Sequence, residues 1–167
     1  DYVNLSDKPH RFSRVIVPAR GIENIRTFAH HSRLTSAISG KVHSNEKARK
    51  LFISRAKSSS RKISNESELL SAASKFGYEL IYPEDYTFIQ QVDIFSHATH
   101  VCGCLGAGLT NLIFSNQTPH LLEFAPEGRT GDATLFSNMM DVWGGEYAGV
   151  VGAFIGNMDR KFDRRDI

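Results

Sequence analysis

The sequence predicts an α/β domain: a Rossmann-like, mostly parallel sheet with helices on both faces. Short apolar runs rich in β-branched and aromatic residues recur along the chain. Segments with apolar residues at helical spacing lie between them, and glycines or prolines stand at the joints. Strand and helix alternating through short loops is the pattern of parallel strands joined by crossovers. No segment repeats. The 167 residues, 41% hydrophobic and 23% charged, suffice for one globular core.

Residues 1–14 are polar, and Pro9 discourages a long helix. Val15-Ile16-Val17 reads as a short strand closed by Pro18. Ile22, Ile25, Phe28, Ala29, Leu34 and Ile38 outline an imperfect helix that Gly40 stops. Leu51-Phe52-Ile53 is a buried strand, followed by a basic, serine-rich loop to Ile63 with Arg55, Lys57, Arg61 and Lys62. Asn65 is expected to cap a helix with Leu69, Leu70, Ala73 and Phe76 on its apolar face and Gly77 at its end. Tyr78 to Tyr82 alternates as a strand until Pro83, and Phe88 to His97 has helical spacing. His100-Val101-Cys102 is a strand, Gly103 to Gly108 a glycine-rich turn, and Leu109 to Phe114 the opening of a third helix. Leu121 to Phe124 reads as strand, Asp132 to Val142 as helix, and Tyr147 to Val151 as a last strand. Asp159 to Ile167, dense in Arg and Asp, is an exposed tail or end helix.

Composition excludes several classes. A net charge of +2 does not suggest a nucleic-acid binder. No apolar run reaches the roughly 18 residues that span a bilayer. The chain opens Asp1-Tyr2-Val3-Asn4 with no signal peptide and no Met, which reads as a processed or truncated piece. Cys102 and Cys104 are separated by one residue in an apolar run, too close for an unstrained disulfide, and read as reduced, buried residues. No metal is expected. His30 and His31 are adjacent, and His97, His100 and His120 lack ligand spacing.

Ligands of open α/β sheets bind beyond the carboxyl ends of the strands. Three such ends carry candidate residues. Gly103-Cys104-Leu105-Gly106-Ala107-Gly108-Leu109-Thr110-Asn111 follows a strand and opens a helix, so its amides suit a phosphate. It is neither a Walker A loop nor a dinucleotide fingerprint, since Asn111 stands where a third glycine would; tight packing alone is the alternative. Ser54-Arg55, with Arg61 beyond, offers a planar fork for a diphosphate. Glu123 is the one acid in Leu121 to Phe124; it is placed to take ribose hydroxyls or to pair with an arginine. Glu66 and Glu68 favour a helix start, and one of Gln90 and Gln91 is expected to face the cleft.

Taken in order, these stretches resemble glycosyltransferase family 61. Arg49-Lys50-Leu51-Phe52-Ile53-Ser54-Arg55 is similar to its basic strand ending in Ser-Arg, and Arg61-Lys62-Ile63-Ser64-Asn65-Glu66 to its Arg-x-x-x-Asn-Glu helix start. Phe76-Gly77-Tyr78, Pro83-Glu84, Thr87-Phe88 and Gln91 match its middle section. Gly106-Ala107-Gly108-Leu109-Thr110-Asn111 with Phe114, then Glu123, match its most recognisable stretch. The clear resemblance runs from about residue 49 to 125. Many members have His before Gly-Ala, and here that position is Leu105.

The resemblance implies the C-terminal half of a GT-B type enzyme, with residues 1–167 forming one nucleotide-sugar-binding domain of a longer chain. It implies inverting transfer from a nucleotide diphosphate sugar, UDP-linked by expectation, to a glycan or polysaccharide acceptor without a bound metal or other cofactor. Arg55 and Arg61 would meet the diphosphate, with Gly106, Ala107 and Gly108 beneath it. Thr110 and Asn111 would hold phosphate or sugar, Glu84 base or sugar, and Glu123 ribose. The general base would belong to the missing N-terminal domain, and no catalytic residue is assigned in this chain. Two alternatives are a binding-only homologue, suggested by Leu105, and another nucleotide-using polysaccharide-modifying transferase. A bacterial protein, cytoplasmic or membrane-associated, is the expected setting, with the secretory lumen as alternative.

Overall fold

The computed structural model describes residues 47–58, 62–126 and 134–152. The expected strand at 15–17, the helix at 22–38, Arg61 and the charged segment 159–167 lie outside the described residues. Five strands form one sheet: β1 (Arg49–Ile53), β2 (Tyr78–Ile81), β3 (Ala98–Cys104), β4 (His120–Pro126) and β5 (Tyr147–Gly152). Their order is β2-β1-β3-β4-β5, and every neighbouring pair is parallel. Between them lie α1 (Glu66–Ser74), α2 (Phe88–Ser96), an eight-residue 3₁₀ helix (Ala107–Phe114) and α3 (Thr134–Trp143).

The chain steps from β1 to β2 in one direction, then crosses back over β1 to β3 and continues outward. Right-handed crossovers put α1 on one face and α2, the 3₁₀ helix and α3 on the other. Register sets Leu51, Val101 and Leu121 side by side on one face. Against that face pack Val92 and Phe95 of α2, Leu109 and Leu112 of the 3₁₀ helix, and Met139 and Met140 of α3. Strands covered on both faces need no polar alternation, which is why β1 and β3 read as continuous apolar runs. On the opposite face the Phe52 and Phe124 rings lie 6.4 Å apart. Cys102 and Cys104 are buried there and reduced; burial pushes the Cys102 thiol up to about 12. Among the described residues no helix is long and apolar enough to cross a membrane.

Local structure departs from expectation in four places. Asn65 occupies the N-cap position of α1, but its side chain makes no capping bond. Phe76 does not join the apolar face: α1 ends at Ser74, Gly77 turns the chain with φ 82°, and Phe76 is left 70% exposed. Gly103 belongs to β3, paired with Ile53 and Glu123, so the glycine turn begins only after Cys104. The segment that follows is 3₁₀ rather than α. Three residues per turn stack Leu109 over Leu112, and both are buried. α2 starts where a Thr87–Gln90 capping box satisfies its first amides.

Candidate functional site

In the 2-1-3-4-5 order the chain reverses direction between β1 and β3, and the crevice beyond those two carboxyl ends is where such sheets bind ligands. The described residues form a cleft of about 230 Å³ at that place. Ile53, Ser54, Arg55 and Ser58 line one side, Pro83 and Glu84 another, and Cys104 with Gly108 the floor beyond β3.

The β1 end is tightly tied. The Ser54 amide donates to Ile81 O at 2.9 Å, extending the ladder to β2. Its hydroxyl donates to Glu66 Oε1 at 2.5 Å and accepts from the Ala56 amide at 3.0 Å. The Arg55 amide donates to Glu66 Oε2 at 3.3 Å. The Ser58 amide closes a turn onto Arg55 O at 2.9 Å, and Arg55 Nη2 donates to Ser58 Oγ at 2.7 Å. The guanidinium lies against the glycine turn at Gly106. A Cβ built on Gly106 would sit 2.2 Å from Arg55 Nη1. Only a residue without a side chain admits the arginine in this pose.

The second wall is the short Pro83–Asp85 helical turn. Lys57 Nζ donates to Asp85 Oδ1 at 2.6 Å and lies 4.5 Å from the Tyr82 ring centre, bridging the two walls. The Asp85 carboxylate raises the Lys57 pKa. Gln91 Nε2 donates to Pro83 O at 2.9 Å and to Tyr86 O at 3.0 Å. Its Oε1 accepts from Asn111 Nδ2 at 2.7 Å. This chain of bonds fixes the turn that carries Glu84 to the 3₁₀ helix.

The structure thus brings Arg55, Glu84, Gly106 and Gly108 together. It places the other candidates differently. Ala107 and Thr110 are exposed on the 3₁₀ helix beside the cleft. Asn111 is engaged with Gln91, and Gln90 with the start of α2. Glu123 is fully buried, set in register between Gly103 and Gly149, and accepts the Tyr147 hydroxyl at 2.9 Å. It does not line the cleft. Burial and then the bond to Glu123 push the Tyr147 pKa up. Leu105 is 4% exposed within the core, so its side chain is no part of the cleft wall either. Among the described residues no group of three His, Cys, Asp or Glu side chains is placed to hold a metal.

Sequence reasoning did not place Ser58 in the site, named Cys104 only as part of the glycine-rich loop, and took Glu66 only as a helix-start residue. Ser58 begins a run of three serines, and nothing local distinguishes it from its neighbours.

The model of the family described as Glycosyltransferase 61 matches residues 5–122. This chain belongs to that family. The match covers well over half of the chain and includes the β1 end, the Pro83–Asp85 turn and the glycine turn that form the cleft. As a Glycosyltransferase 61 member the chain is a glycosyltransferase, a class that uses a sugar donor and an acceptor. No curated protein matches it.

Proposed function

We propose that this chain is the donor-binding part of an inverting, metal-independent glycosyltransferase that takes a UDP-linked sugar and serves a glycan or polysaccharide acceptor. The observation that carries this reading is the Arg55 guanidinium laid on Gly106 at the β1/β3 switch point. A guanidinium fork beside the first turn of a helix supplies directed donors for a diphosphate. Such fixed positive groups offset the charge that develops on a departing diphosphate, the role a metal takes elsewhere. Glu84, on the facing wall, is an acceptor for ribose or sugar hydroxyls or a base N–H.

The cleft's size supports a partial site. About 230 Å³ falls below the roughly 300–1,000 Å³ of complete small-molecule pockets. A second domain of a GT-B type protein, carrying the general base, would close it. The inward-facing Leu105 supports binding rather than a vestigial fold, because the family's alternative residue would replace a core contact and not a cleft wall.

The test is thermal unfolding with UDP, GDP, CMP or NAD, each in chelator and again with Mg²⁺ or Mn²⁺. A ligand at ten times its Kd stabilises by about 1.4 kcal/mol, a rise of roughly 3–6 °C for a chain of this size. A shift with UDP in chelator, lost in Arg55→Ala, is expected. No shift with any nucleotide, or an unchanged shift in Arg55→Ala, would refute the site. A shift that requires the metal would refute metal independence.

A further inference from the structure

We propose that Glu66 is a positioning residue for the donor diphosphate: through Ser54 and the Arg55 amide it holds Arg55 in the pose that meets the ligand. The inference rests on the donor-site reading of the cleft and adds a residue outside its lining.

Glu66 is the first residue of α1, where a carboxylate ordinarily serves its own helix by bonding first-turn amides or facing the dipole. Here both oxygens point away from the helix. Oε1 accepts the hydroxyl of Ser54, which is 2% exposed, and Oε2 accepts the amide of Arg55. One side chain therefore spans the two residues at which β1 leaves the sheet. Ser54 is locked on its other sides by Ile81 O and the Ala56 amide. The backbone at residue 55 has little freedom left, and the Arg55 side chain runs from that anchor across Gly106. Without the clasp the Ser54–Ser58 turn is held by its own short-range bonds, and the guanidinium no longer has one approach to the glycine turn. A long cationic side chain gains affinity from such pre-organisation because ordering it on binding costs entropy.

The test is calorimetric titration of the chain with UDP and with uridine, which lacks the diphosphate. The variants are Arg55→Ala, Glu66→Ala, Glu66→Gln and Ser54→Ala. Loss of one net hydrogen bond's worth of ordering predicts UDP binding weakened about tenfold in Glu66→Ala and Ser54→Ala, with uridine affinity unchanged in Glu66→Ala, whose side chain lies outside the cleft lining. Glu66→Gln, which keeps an acceptor for Ser54, recovers part of the loss. Should Glu66→Ala fail to fold, Ser54→Ala and Glu66→Gln carry the same comparison. Wild-type UDP affinity in the Glu66 and Ser54 variants, alongside weakened binding in Arg55→Ala, would overturn the positioning role and leave the site standing. Equal losses for UDP and uridine would overturn it too, since they report a general loss of structure. No UDP binding by the unaltered chain, or full binding in Arg55→Ala, would overturn the site and this role together.

Discussion

Three glycines near the switch point are expected to respond to alanine in different ways, and the contrast tests the site directly. At Gly106 the new Cβ meets the far end of a flexible side chain: Arg55 Nη1 at 2.2 Å and Cζ at 3.1 Å. Ordinary contact is about 3.5 Å, so the guanidinium must retreat by roughly 1.3 Å. That displacement exceeds what a hydrogen bond tolerates, but moving a half-exposed arginine costs the fold little. At Gly103 the Cβ meets the Ile53 carbonyl oxygen at 2.9 Å and Ile53 Cβ at 3.0 Å, both fixed in the neighbouring strand. Overpacking of this kind costs about 1–3 kcal/mol, a fall in Tm of roughly 2–12 °C. Gly108, with Ile53 Cγ2 at 3.0 Å and Pro83 Cγ at 3.4 Å, lies between the two. Thermal unfolding with and without UDP separates the cases. Gly106→Ala should melt within about 2 °C of wild type, an effect under about 1 kcal/mol. Its UDP affinity should fall ten- to hundredfold, the worth of a charged hydrogen bond of about 1.5–3 kcal/mol. Gly103→Ala should lose stability first. A Gly106→Ala protein that binds UDP normally would refute the claim that Arg55 acts from this pose. One that melts as low as Gly103→Ala would refute the account of its packing.

Gln91→Ala should lower stability by about 1–3 kcal/mol, because it strips partners from two carbonyls and from Asn111; adding Asn111→Ala should cost less than its separate effect, measured by denaturant titration as a double-mutant cycle. His100, stacked 4.8 Å from His120 across β3 and β4, has its pKa lowered by burial, by His120 and by Lys50, with Glu146 opposing. The unfolded chain therefore takes up the proton first as pH falls below 6.5, and stability present above that pH is lost on acidification. In His100→Phe the fall of Tm between about pH 6.5 and 5 should be shallower; an identical slope would show that the stack does not contribute. Tyr147 keeps its proton in the folded state above its ordinary value of 10.0, so stability should decline as pH rises past that point. Tyr147→Phe should flatten that alkaline decline while lowering stability at neutral pH, as the hydroxyl it removes serves the buried Glu123.

Much of the fold is legible locally. Leu51 to Ile53 and Leu121 to Phe124 stand out as apolar runs of inner strands and Tyr78 to Tyr82 as an alternating edge strand, each within a residue or two of its observed limits. Gly77 and Pro83 bound β2, because the glycine supplies positive φ and the proline opens the helical turn that follows. The helix type after the glycine turn was not legible, since Leu109 and Leu112 at a spacing of three suit either helix. Phe76 was misread because helical spacing alone does not say where a helix stops.

The sequence by itself therefore determined the α/β class, the alternation of its strands and helices and the strand end that carries Ser54 and Arg55, all products of local sterics and hydrophobic pattern. Only the tertiary structure decided which of those ends meet. Strand order 2-1-3 puts Arg55 against Gly106, some fifty residues on, and sends Glu123 of β4 into the core beside Tyr147. Ser54 with Glu66 and Gln91 with Asn111 are paired the same way. No local periodicity encodes these partners, because they follow from the order in which strands add to the sheet. That order is set by burying whole faces at once.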